Sequence, residues 1–140
     1  MTLERKDVWA SGDAYEFYVG RWSRLIARDF VDWLEVPADR RWLDIGCGTG
    51  ALSQTILERA APQSLMGVDP SEGFISHARR AIDDTRATFK VGDAQSLPAD
   101  NRAFDVAVAG LVINFVPNVA KATAEMVRVT RPGGTAAAYV

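Results

Sequence analysis

The stretch Leu43 to Gly50, LDIGCGTG, constrains what this chain can fold into more than any other part of it. It places a carboxylate, Asp44, inside an apolar run and then puts glycine at 46, 48 and 50. Glycine costs about 0.5–1 kcal/mol relative to alanine within regular structure, so three so close together require a special backbone shape or the close approach of another group. RRWLDIG before them reads as a short strand, and TGALSQTILERAA after them carries Leu52, Ile56, Leu57 and Ala60 on one helical face. A strand that ends in glycines and leads straight into a helix is the opening of a strand, helix, strand crossover.

The same alternation recurs along the chain. WSRLIARDFVDWLEV spaces Trp22, Leu25, Ile26, Phe30, Trp33 and Leu34 as a helix ahead of the first strand, and Pro37 stops the pattern. SLMGVD reads as a second buried strand, SEGFISHARRAIDD as a helix through Phe74, Ile75, Ala78 and Ile82, and ATFKVGDA as a third strand. The fourth strand is FDVAVAGLVINF or its first half, and Pro117 suits the first turn of a helix running to about Val129. The turn RPGG then ends that helix, and TAAAYV begins a fifth strand. Such an order predicts an α/β fold, a doubly wound, mainly parallel sheet with helices on both faces and right-handed crossovers. Ligands of such sheets bind beyond the carboxyl ends of the strands, where strand order reverses, and the glycine stretch ends strand one at that place.

At 140 residues the chain fits a single domain, with an N-terminal helical segment over about 1–37 and an α/β core over about 38–140. Sixteen basic and eighteen acidic residues give a net charge of −2 without a basic stripe, which disfavours nucleic acid as a partner. No apolar run approaches the roughly 20 residues of a membrane span, and MTLERKDVWASGD lacks a signal-peptide core, so the expected location is cytoplasmic. A single cysteine, Cys47, excludes an internal disulfide and a multi-cysteine metal site, and no metal is expected.

Gly46, Gly48 and Ala51 satisfy the dinucleotide pattern G-x-G-x-x-G/A, and Asp69 lies 69 − 50 = 19 residues past Gly50, which also suits an NAD(P)-dependent oxidoreductase. Any adenosine-containing ligand shares those needs: glycines for close backbone approach and an acid for the ribose hydroxyls. Asp44, two residues before the first glycine, separates the cases, since a carboxylate repels a pyrophosphate and attracts a cationic ligand. Asp93, at the end of strand three, is placed to accept from an adenine amine while Ala94 offers its amide to a ring nitrogen. Three acids are therefore expected at the mouth. Each has a plainer reading as well: Asp44 as a buried acid capping the next helix, Asp69 as a cap of the second helix, and Asp93 as a turn former. Cys47 has no histidine beside it in sequence and reads as a small loop residue rather than a nucleophile; His77 falls off the apolar face of its helix.

Taken in order, LDIGCGTG, GVDPSEGF, VGDAQSLP and VRVTRPGGT resemble the class I S-adenosylmethionine-dependent methyltransferases, over essentially the whole chain after about Tyr15. The subgroup acting on small molecules and lipids is the nearest likeness. The resemblance implies a Rossmann-like sheet, S-adenosyl-L-methionine as cofactor and S-adenosyl-L-homocysteine as product. It sets Gly46, Cys47, Gly48 and Gly50 along the cofactor and gives Asp44 the support of its ammonium. Asp69, with Pro70 after it, takes the ribose hydroxyls, Phe74 covers the adenine, and Asp93 with Ala94 reads the purine. Tyr18 and Arg21 fall where an N-terminal segment covers the methionine end, and Asn114 falls where a small-molecule substrate is touched.

Methyl transfer from a sulfonium is an in-line displacement that needs alignment and exclusion of water more than a catalytic dyad, so the lack of a visible dyad is no objection. LVINFVP is not the Asn/Asp-Pro-Pro-aromatic sequence of amino-methylating nucleic-acid enzymes, and one cysteine does not suit arsenite. The family's sheet normally continues with a helix and two more strands, so the chain is expected to be a fragment or a short member lacking the C-terminal strands. The nearly apolar Ala136 to Val140 would then form an open edge that invites a homodimer. The other functional class open to such a chain is a non-catalytic binding or assembly protein of the same fold.

Overall fold

In the computed structural model, which describes residues 21–140, the strand that ends at the glycine stretch lies at the centre of the molecule. Five strands, β1 (Arg41–Ile45), β2 (Ser64–Asp69), β3 (Ala87–Val91), β4 (Phe104–Gly110) and β5 (Thr130–Tyr139), form a sheet in the order β3-β2-β1-β4-β5. Every pairing is parallel. The chain moves from β1 to β2 and β3 on one side, then returns to β4 and β5 on the other, so strand order reverses beside β1.

Four α-helices cover the sheet among the described residues: α1 (Arg21–Leu34), α2 (Ala51–Arg59), α3 (Glu72–Ala81) and α4 (Val119–Val129). Side chains alternate across β1 and sort the core into two layers. Trp42 packs on one face with Phe30 and Val31 of α1, Leu52 and Ile56 of α2, and Ile75 and Ala78 of α3. Leu43 and Ile45 pack on the other with Ala122, Met126 and Val129 of α4. Burial on both faces explains why these strands read as continuous apolar runs. No helix of the described residues is long and apolar enough to cross a membrane.

Three local expectations are revised. α1 buries Ala27, Phe30 and Val31, whereas Leu25, Ile26 and Trp33 are exposed, Trp33 by 74%. Its apolar residues span too wide an arc for one face, and the helix is seated with Phe30 against Tyr139, ring centroids 4.7 Å apart. α4 begins at Val119, two residues after Pro117, because Asn118 supplies the cap by accepting from the Lys121 amide at 3.0 Å. RPGG is a bulge inside β5, not a break before it: four residues of β5 lie opposite Asp105 alone, since Phe104 pairs Thr130 and Val106 pairs Thr135. Between β3 and β4 no helix intervenes; Ala94 and Leu97 of the connecting loop fill the core instead.

The bulge has a charge partner. Asp105 accepts from the Arg41 amide at 2.7 Å, from the Arg41 guanidinium and from Arg131 Nε, tying the starts of β1, β4 and β5 together. The Arg41 side chain, and then its amide and Arg131, hold the Asp105 carboxyl well below the usual carboxylate range. This staple lies at the opposite end of the strands from the glycine stretch.

Candidate functional site

At the carboxyl end of β1 the backbone turns through three left-handed glycines, with φ of 66° at Gly46, 56° at Gly48 and 102° at Gly50. No other residue adopts these angles without strain. The amides of Gly46 and Cys47 both donate to the Val68 carbonyl, at 2.7 and 3.0 Å, so the loop is held against the end of β2. Gly50 then caps α2 with its backbone alone, and the space an added Cβ would need is taken by Ile82, whose Cδ1 would lie 2.6 Å from it. A helix start framed by glycine is open to a ligand.

The exit of β4 closes on the same loop. Leu111 takes φ of 59°, a conformation costly for a bulky residue, and so brings Val112 over Gly46, where an added Cβ would lie 2.5 Å from the Val112 side chain. Sequence reading missed both residues, because left-handed leucine has no local signature.

Asp69 is buried and joins the two loops. One carboxylate oxygen accepts from the Gly48 amide at 3.0 Å and the other from the Ser71 amide at 2.9 Å. A carboxylate has about four lone-pair sites, so two remain for hydroxyl donors. Burial raises its pKa, against the lowering effect of those amides. The helix cap is a separate residue: Ser71 Oγ accepts from the Phe74 amide at 3.2 Å, with Asp69 outside the helix. Pro70 fills the turn between them and Phe74 is half-buried in the first turn of α3.

Asp44 departs from expectation. Only 1% exposed, it lies beneath the glycine loop and not at the mouth, with the Ser53 hydroxyl donating to its carboxylate at 2.7 Å. Side chains alternate across β1, so position 44 falls with Trp42 on the face covered by α1, α2 and α3, beside Ser53 in the first turn of α2. The mouth therefore offers two acids, and the third is buried beneath the loop with Ser53 as its partner. Burial pushes the Asp44 pKa up to about 7; the Ser53 hydroxyl opposes this and the nearby charge of Asp69 adds to it. Ser53, nine residues on, is a partner that sequence reading did not find.

Asp93 is exposed at the end of β3, where its Oδ1 accepts from the Gln95 amide at 2.8 Å, and Ala94 beside it is buried. The turn-forming reading is thus correct and leaves Oδ2 for another donor. Burial, then the charges of Asp44 and Asp69, push the Cys47 thiol far up, so it is no nucleophile; its sulfur lies near Gly67, filling space. Asn114 and Phe115 are exposed on a short 3₁₀ turn, Ile113–Phe115, after β4. Tyr18 lies outside the described residues, as do the side chains of Arg21 and Trp22. Among the described residues no cluster of histidine, cysteine and carboxylate is arranged to hold a metal ion.

The arrangement fits S-adenosylmethionine on its own terms: left-handed glycines that admit a close ligand, a carboxylate with two acceptor sites left, and a second acid one strand further on. Comparison with known proteins agrees. Residues 43–138 match the family described as methyltransferase domain. A ubiquinone/menaquinone biosynthesis C-methyltransferase from Dinoroseobacter shibae is 35% identical over 108 residues, 74% of this chain and 43% of that protein. An uncharacterized methyltransferase of Mycobacterium tuberculosis is 35% identical over 136 residues, 96% of this chain and 53% of that one. The crystal structure of an S-adenosylmethionine-dependent methyltransferase from Mesorhizobium loti superposes with a TM-score of 0.68 at 28% identity, covering 77% of this chain and 50% of that one. The chain thus spans about half the length of the curated relatives it matches. It belongs to the methyltransferase domain family, as a class I S-adenosylmethionine-dependent methyltransferase domain.

Proposed function

We propose that the chain binds S-adenosyl-L-methionine at the carboxyl end of β1 and presents it for methyl transfer to a small acceptor. The observation that carries this reading is Asp69, which holds the Gly48 amide with one oxygen and the Ser71 amide with the other. Both loops are thereby fixed around a carboxylate that keeps acceptor capacity for hydroxyl donors. In this reading Gly46, Cys47, Gly48 and Gly50 face the cofactor, Asp69 and Pro70 the ribose, Phe74 the adenine face, and Asp93 with Ala94 the purine edge. Asp44 supports the ammonium from beneath, through Ser53 and the loop. Tyr18 and Arg21 close the methionine end.

The cofactor supplies an activated methyl group and a thioether leaving group; the protein aligns the acceptor and excludes water. Exposed Asn114 and the 79% exposed Phe115 give the acceptor side one polar and one aromatic contact, which suits a ring with an apolar body. A quinol-like acceptor fits that description, and the C-methyltransferase among the relatives supports it. Incubation with S-adenosylmethionine and a demethylated quinol tests the reading: formation of S-adenosylhomocysteine only when both are present supports it, and release without methylated acceptor contradicts it.

We also propose a homodimer through β5. That strand is the outer member of the sheet, and Ala136, Ala138 and Val140 are exposed along it without a charged neighbour among them.

A further inference from the structure

The loop after β3 and the loop after β4 are joined by the side chain of Gln95. Its Nε2 donates to Asp93 Oδ1 at 3.4 Å, beside the stronger bond from its own amide to the same oxygen. Its Oε1 accepts from the Asn118 amide at 3.1 Å. Asn118 in turn caps α4, its side chain accepting from the Lys121 amide at 3.0 Å. The segment 111–117, with Asn114 and Phe115, runs from the end of β4 to that cap. One amide side chain thus connects the acid proposed to read the purine with the anchor of the loop proposed to face the acceptor.

The remainder of the β3 exit loop is fixed by a different set of bonds. The Leu97 amide donates to Glu125, and Arg128 donates to the carbonyls of Leu97 and Ala99, all from α4. Those contacts hold the far half of the loop rigidly to the helix, whereas the near half meets α4 through Gln95. A donor from the ligand on the free oxygen of Asp93 fixes the carboxylate orientation, which orients the Gln95 amide and so its bond to Asn118.

We infer that Gln95 is a positioning residue that couples occupancy of the cofactor site to the order of the acceptor loop. This rests on the cofactor reading above. Couplings between two binding sites generally amount to about 5–150-fold.

The test is amide hydrogen exchange over residues 111–118, with and without saturating S-adenosylhomocysteine, in wild type, Gln95→Ala and Gln95→Glu. Both substitutions are at a partly exposed loop position, and melting temperatures are expected to stay close to wild type. In wild type the ligand slows exchange at Asn118 at least about fivefold. Gln95→Ala still binds the ligand but loses that protection. Gln95→Glu keeps an acceptor for Asn118 and loses the donor to Asp93, so it shows the unliganded rate of wild type and no ligand-dependent change. Equal protection in wild type and both variants overturns the inference, as does a wild type that binds without protection. A wild type that does not bind S-adenosylhomocysteine at all overturns the cofactor reading and this inference with it.

Discussion

Two buried carboxylates on adjacent strand ends have different tasks, and their surroundings say which. Asp69 reaches the mouth, and its replacement by asparagine removes the charge while leaving one acceptor oxygen. Loss of charge-assisted hydrogen bonds worth about 1.5–3 kcal/mol weakens binding of S-adenosylhomocysteine by about tenfold or more, as titration calorimetry will show. Asp44 faces inward, and its effect is on stability. With a folded pKa of about 7 against 3.8 in an unfolded chain, it holds a proton in the folded state that the unfolded state has released. The folded state binds more protons between about pH 4 and 7, so the ligand-free protein loses stability as pH rises through that window. Asp69, also raised, acts in the same direction. Urea unfolding at pH 5, 6, 7 and 8 measures this; Asp44→Asn is expected to flatten most of the decline, and a wild type that gains stability across the window contradicts the assignment. The residues legible in sequence were those whose task is local: glycines with positive φ, and acids at strand ends. Ser53 and Val112 act on groups brought close only by the fold, as Gln95 does on Asn118, and nothing beside them in the chain reports it.

At the scale of elements, the chain separates holding the sheet from serving the site. The Asp105 staple gathers the starts of β1, β4 and β5, while the glycine loop, Asp69 and Asp93 occupy the strand ends. Asp105→Asn is therefore expected to lower stability by about 2 kcal/mol, within the range for hydrogen bonds to charged groups, and to leave S-adenosylhomocysteine affinity unchanged. Paired thermal melts and calorimetry check both halves, and a loss of affinity without a loss of stability contradicts the division. Strand and helix order was readable from period and punctuation, since buried parallel strands and amphipathic helices differ in both. Two features escaped that reading for a physical reason. RPGG reads as a terminator because proline and glycine normally end regular structure, yet β5 absorbs it as a bulge with Gly134 packed against the Asp105 carbonyl. The buried arc of α1 depends on where Phe30 meets Tyr139, a contact across most of the chain.

Within residues 21–140 the sheet is covered by helices on both faces, with β5 as its outer strand. Light scattering at micromolar concentration is expected to give twice the chain mass of 15.3 kDa, and Ala138→Lys on the exposed edge to return it to that mass; a wild-type monomer contradicts the dimer. Family membership follows from the matched region and the shared fold, but the chain covers about half of its curated relatives, so the central claim is the one about the cofactor. The direct measurement is calorimetric titration of the 140-residue chain with S-adenosylmethionine, S-adenosylhomocysteine and NAD in turn. The account predicts one site per chain for the first two, and no heat of binding with NAD. Binding of NAD alone, or of none of the three, contradicts it.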